Sequence, residues 1–130
     1  MSDDWTWEIP AAVTVTDAKG VILTMNKAAR EVFKTDGGAA LIGTNVLDCH
    51  PEPARTKTAE LYERKAPNHY TVQKVGLKKI IHQIPWYKKG AFAGFVQMAR
   101  RTANVYYVQT LFENPRRLAF LKWLGDFGRA

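Results

Sequence analysis

The sequence predicts an α+β fold, a five-stranded antiparallel sheet with its helices gathered on one side and a short helix at the C-terminal end. Three observations carry this expectation. The chain opens on a short alternating hairpin, and its central part ends on three long β-type runs joined by tight turns. Between these lie two helical stretches that flank a loop holding two prolines and the single cysteine.

Ala12 to Thr16 alternates and is rich in β-branched residues, which sets Val13 and Val15 on one face of a strand. Asp17-Ala-Lys-Gly20 turns the chain, with glycine available for positive φ, and Val21 to Thr24 returns it. Asn26 suits the cap of a helix running through Phe33, because its side-chain oxygen can accept a free backbone N–H. Ala28, Ala29, Val32 and Phe33 form that helix's apolar stripe, and Asp36-Gly-Gly38 ends it. The loop from Gly43 to Arg55 follows, then a helix from Thr56 to Arg64 closed by Ala66-Pro-Asn68. His69 to Val75, Leu77 to Tyr87 and Phe92 to Arg100 read as a three-strand meander, with Lys88-Lys-Gly90 as its second turn. Further on, Asn114-Pro115 is a helix start and Gly125 a stop. Leu118, Leu121 and Leu124 recur between them at a spacing of three, so this short helix needs a surface to dock on.

With 130 residues, 46% of them hydrophobic, the chain suits one globular domain that needs no disulfide or metal to hold it. Cys49 has no partner for an internal bridge, and no cysteine cluster has zinc-site spacing, so no metal ligand is expected. The acidic, polar N-terminus lacks the regions of a signal peptide. No run approaches the length of about 20 apolar residues that spans a bilayer. A cytoplasmic protein without membrane contact is the expectation. The net charge of +7 invites a nucleic-acid reading. Its basic residues are scattered as Lys78-Lys79, Lys88-Lys89, Arg100-Arg101 and Arg116-Arg117, the pattern of solvated strand ends and turns, so no nucleic-acid partner is expected.

Ile9-Pro-Ala-Ala-Val-Thr-Val-Thr-Asp17 with Gly20 and Asn26-Lys-Ala-Ala29 is followed by Ile42-Gly-Thr-Asn45. Ile84-Pro-Trp-Tyr87, Gly90 and Ala93-Gly-Phe-Val-Gln-Met-Ala-Arg100 complete the series. In order and spacing this pattern resembles the PAS domain family of small sensory modules, over roughly Ile9 to Thr102. Cys49-His50-Pro51 is similar to a subset of bacterial and archaeal PAS modules. The resemblance implies three segments: residues 1–8 as a candidate dimerisation element carrying Trp5 and Trp7, 9–102 as the sensory domain, and 103–130 as a C-terminal helical extension. It also implies a small-molecule ligand between sheet and helices, with the signal relayed through a homodimer or a separate partner. No output domain is visible in the 130 residues, so a stand-alone module is expected. A ligand-free interaction module and a haem-binding gas or redox sensor are the alternatives.

The ligand itself stays unnamed. Pro51-Glu-Pro-Ala-Arg55 resembles the helix start of oxygen-sensing haem PAS domains, yet the position of their iron-binding histidine holds Thr58, a poor iron ligand. Axial ligation by His50, Cys49, His82 or Met98 is chemically open. Flavin photochemistry needs a cysteine just after Gly-x-Asn, where Val46 stands. Cys49 and His50 do not suit a nucleophile and its base, since adjacent side chains rarely meet in the needed geometry. Period-two alternation puts Ile80, His82, Ile84 and Trp86 on one face, which reads as the inner one, although His82 at an edge would instead face solvent. Cys49, His50, His82, Trp86 and Met98 are therefore the candidate cofactor-binding residues. No catalytic residue is assigned, and the inner strand faces so read hold no carboxylate for the acid–base chemistry of a cone-shaped isomerase.

Overall fold

The computed structural model describes residues 4–74 and 77–101. The helix expected after Asn114 lies outside the described residues. In chain order the elements are β1 (Ala12–Thr16), β2 (Ile22–Met25), α1 (Lys27–Val32), α2 (Ala54–Arg64), β3 (Asn68–Lys74), β4 (Leu77–Lys88) and β5 (Ala91–Arg101). Single 3-10 turns at Lys34–Asp36, Gly38–Leu41 and Val46–Cys49 connect α1 to α2. The strands form one sheet in the order β2-β1-β5-β4-β3. The chain divides into two compact units, Met1–Tyr70 with Ile81–Arg100, and Thr71–Ile80 with Arg101–Ala130. Everything described below belongs to the first.

β1 lies inside the sheet, between β2 and the central strand β5. It pairs antiparallel with β2 through Thr14 and Met25, and with β5 through Ala12 and Ala99, Val13 and Met98, Thr14 and Gln97, and Val15 and Val96. Gly94 explains how β5 approaches so closely. Its φ is +142°, and a side chain there would run into the backbone of Thr16 and Asp17. Only glycine combines that conformation with that contact.

Asn26 caps α1 as expected, accepting from Ala29 N at 3.0 Å, and it does more. The same Oδ1 accepts from Val13 N at 2.9 Å, and Nδ2 donates to the carbonyls of Thr6 and Ala11, both at 2.8 Å. A buried amide with all its partners supplied fixes the N-terminal segment, β1 and α1 to one another. Trp7 belongs to this arrangement: its carbonyl accepts from Lys27 N and its ring lies 4.8 Å under the Arg30 guanidinium. Of the two tryptophans in the candidate dimerisation element, Trp5 is open, at 75% exposure, and Trp7 is half-buried.

α2 begins two residues earlier than the sequence pattern suggests. Pro53 stands at its N-cap position, and the carbonyls of Pro51 and Pro53 already accept from Arg55 N and Lys57 N. Proline lacks a donor, which costs nothing in a first turn whose N–H groups have no helical partner anyway. The loop before it is tied to the opening hairpin. Gly43 N bonds Ile22 O at 2.8 Å, Ile22 N bonds Thr44 O at 2.9 Å, and Val46 N bonds Gly20 O at 2.9 Å. These bonds carry Val46, Cys49 and His50 to the mouth of the space beneath the sheet. Ala12, Ile22, Met25 and Ala29 form the buried cluster at one end of that space, with Phe33, Leu41, Val46 and Ala99 packed against it.

Candidate functional site

A cavity of about 100 Å³ lies between the sheet and the helical segments. Ile22, Met25, Phe33, Leu41, Val46, Leu61 and Phe95 supply its apolar wall, and Thr14, Thr16, Cys49, His50, Thr58, Tyr62, Gln83 and Gln97 supply its polar groups. No Asp, Glu, Lys or Arg is among the lining residues.

The polar groups are ordered. Thr14 and Gln97 are directly paired across β1 and β5. Gln83 Nε2 donates to Gln97 Oε1 at 3.2 Å, and Asn68 Nδ2 donates to Gln83 Oε1 at 2.8 Å. A polar row therefore crosses four strands on the cavity face, each amide oriented by the next. Gln97 and Thr14 bring this row to the cavity wall. At the other end of the cavity Tyr62 shares a hydroxyl–hydroxyl hydrogen bond with Thr16. Burial pushes the Tyr62 phenol above its ordinary pKa, and the bond to Thr16 opposes this only in part.

No family model and no curated protein matches the chain. Solved structures do match. The PAS domain of BvgS from Bordetella pertussis is 21% identical at a TM-score of 0.58, covering 89% of this chain and 90% of that one. A sensory box sensor histidine kinase from Vibrio cholerae is 14% identical at a TM-score of 0.57, covering 74% and 85%. The Aer2 receptor from Vibrio cholerae, described as a dual PAS-haem oxygen sensor, is 15% identical at 0.52, covering 72% and 95%. The chain has the PAS fold.

Within that fold the five candidate residues separate. Cys49 and His50 are among the residues lining the cavity. Cys49 is largely solvent-exposed, its thiol 3.9 Å from Asn45 O, while His50 is half-buried. His82, Trp86 and Met98 do not line it, which corrects the inner-face assignment of β4. The reason is strand alternation: Gln83 and Gln97 point into the cavity, so His82, Ile84 and Met98 point away from it. Hydrophobicity misled here because both faces of the sheet are apolar, and Ile84 keeps 40% of its surface exposed on the outside. Trp86 is structural. Its Nε1–H donates to Thr16 O at 2.9 Å, past the bare Gly94, and ties β4 to β1.

Thr14, Thr16, Tyr62, Gln83 and Gln97 escaped the sequence reading. Two isolated neutral amides within otherwise apolar strands were the available signal, since an amide inside a β-rich core needs a hydrogen-bond partner or a ligand.

Haem does not fit this cavity. About 100 Å³ falls well below the roughly 300 Å³ at which pockets for drug-sized ligands begin. Thr58, at the position of the histidine in haem PAS domains, turns its hydroxyl back to Ala54 O at 2.9 Å. Among the described residues no group of three or more His, Cys, Asp or Glu could hold a metal ion, and no helix is long and apolar enough to cross a membrane.

Proposed function

We propose that this PAS-fold chain is a sensory module for a small, uncharged, mostly apolar molecule carrying one hydrogen-bonding group. The observation that carries this reading is the amide row Asn68, Gln83 and Gln97 beside Thr14, inside a wall otherwise built of apolar side chains. A charged ligand would lose its hydration with no ion to pair with, a cost of several kcal/mol at least. The cavity volume limits the ligand to about half a dozen heavy atoms, near the size of a benzene ring. The lining offers no carboxylate for proton transfer, which supports a binding role over an enzymatic one.

The ligand's polar group bonds Gln97 Nε2 and the Thr14 hydroxyl, and the turn of the Gln97 amide this requires strains its bond from Gln83, the longer of the two amide links. Because β4 and β5 carry that row, the ligand favours one arrangement of these strands, and their outer faces pass the change on. A homodimer or a separate partner docked on the outer sheet face and near Trp5 receives it. Support for a signalling role comes from the neighbours, among them a sensor histidine kinase.

Phenol, toluene and benzoate test this as a matched set. Phenol is expected to shift the side-chain amide NMR resonances of Gln83 and Gln97, toluene to bind more weakly, and benzoate not to bind. Gln97→Leu removes the preference for phenol over toluene. If phenol moves neither amide up to its solubility limit, the ligand reading fails. The module then works through protein contacts alone, which native mass spectrometry reads as a dimer.

A further inference from the structure

Of the chain's three histidines, two meet. His69 on β3 and His82 on β4 face each other with Nδ1 to Nδ1 at 2.7 Å and ring centroids 4.9 Å apart. Register sets this pair. The neighbouring residues Asn68 and Gln83 are hydrogen-bonded across the same two strands. Gln83 points into the cavity, so the histidines stand on the opposite face of the sheet. On β5, the bond between Gln83 and Gln97 likewise leaves Met98 on the histidine face, where its partner on β1 is Val13. Val13, Met98, His82 and His69 thus form an outer row, back to back with the polar row inside.

At 2.7 Å the two Nδ1 atoms have room for one hydrogen between them, so one ring donates and the other offers its lone pair. Two ring nitrogens converging from adjacent strands are preorganised for a single cation, and a metal ion can take the proton's place. We propose that His69 and His82 chelate one transition-metal ion on the outer sheet face, copper(I) in preference to zinc because Met98 brings a thioether to the same face. Imidazole suits both metals, and thioether sulfur selects copper(I). The donor set is neutral, since among the described residues no third His, Cys, Asp or Glu joins it, which disfavours calcium and magnesium.

Binding requires little movement. The Nδ1 proton shifts to Nε2, leaving both Nδ1 lone pairs aimed inward. The nitrogens then separate to about 3.3 Å, the span of two metal–imidazole bonds near 2.05 Å at a tetrahedral angle. His69 is exposed and His82 half-buried, so rotation about the His69 side-chain bonds supplies the opening. Met98 and water complete the coordination. The ion clamps β3 to β4 at this row, independently of whatever occupies the cavity.

The test uses the full chain, stripped of metal. Copper(I) is titrated anaerobically against a chromophoric competitor, and zinc likewise in air. Wild type is expected to bind one equivalent of copper(I), more tightly than zinc, with the ring resonances of His69 and His82 shifting in proportion and those of His50 unmoved. His69→Gln and His82→Gln each turn a chelate into a single contact and weaken both metals about 100-fold. Met98→Leu weakens copper(I) more than zinc. Far-UV circular dichroism confirms that the variants fold, and the wild-type resonances provide a readout that needs no variant. Equal affinity in the doubly substituted protein, or His69 and His82 resonances that ignore one equivalent of either metal, overturns the proposal. A copper(I) preference that survives Met98→Leu undiminished overturns the role given to Met98.

Discussion

Tyr62 on α2 and Thr16 on β1, 46 positions apart, share a hydroxyl–hydroxyl hydrogen bond of 2.5 Å. Thr16 Oγ1 also accepts from Phe95 N at 3.3 Å and lies 3.2 Å from Asp17 O, to which it donates. One buried hydroxyl thereby joins the helix to β1 and β5, and the Tyr62 ring packs on Phe95 at 4.8 Å between centroids. This link holds the helical side of the cavity against its sheet.

Tyr62→Phe removes the bond and keeps the ring. It is expected to cost about 1 kcal/mol, a drop of several degrees in Tm. Alkaline pH provides a second signature. The phenol's folded pKa is raised by burial, so the folded state prefers the protonated form. That contribution is complete below the unfolded value of about 10 and is lost as pH rises from there through the higher folded value. Urea unfolding from pH 9 upward should show wild type losing stability that Tyr62→Phe does not lose.

Asn26→Ala strips four hydrogen bonds from a buried hub. The carbonyls of Thr6 and Ala11 and the amides of Val13 and Ala29 lose their partner together. A loss of about 2–4 kcal/mol is expected. Asn26→Asp keeps the acceptor but not the donors, and it should fall between wild type and Asn26→Ala in urea midpoint.

Gly94→Ala drives a methyl group into the backbone of Thr16 and Asp17 at a φ of +142°. The β1–β5 pairing must open and the Trp86 bond to Thr16 O must break with it. We expect a loss of about 3 kcal/mol or more, or no folded protein at all. Soluble yield and tryptophan fluorescence report the outcome directly.

Cys49→Ser should leave stability within about 0.5 kcal/mol, because an exposed thiol at a loop edge packs against little. The wild-type thiol should react with a disulfide reagent at the same rate in native buffer as in mild urea. Strong protection in native buffer would mean that something covers the loop.

Much of the architecture was legible because it is locally encoded. The Ala12–Thr16 alternation, the Asp17–Gly20 turn, the Asn26 cap and the Lys88–Gly90 turn each depend on residues within one or two turns of chain. The strands accordingly appear within about a residue of where the pattern puts them. The start of α2 was placed at Thr56, two residues late, because the Pro51-Glu-Pro53 frame marks the helix entrance without fixing which residue after it begins the first turn. The site was less legible. Cys49 and His50, singled out from their loop, line the cavity, whereas Gln83, Gln97 and Tyr62 are held by partners far away in sequence.

The sequence alone determined the order of the elements, their turns and caps, and a pattern resembling PAS domains. Only the tertiary structure decided which face of β4 and β5 looks inward. Alternation divides a strand into two faces but does not rank them, and here both carry large apolar side chains. Cross-strand partners broke the tie: Asn68 and Gln97 hold Gln83 inside, and His69 meets His82 outside. A one-residue difference in facing thereby moved His82 from the expected cavity wall to the opposite side of the sheet.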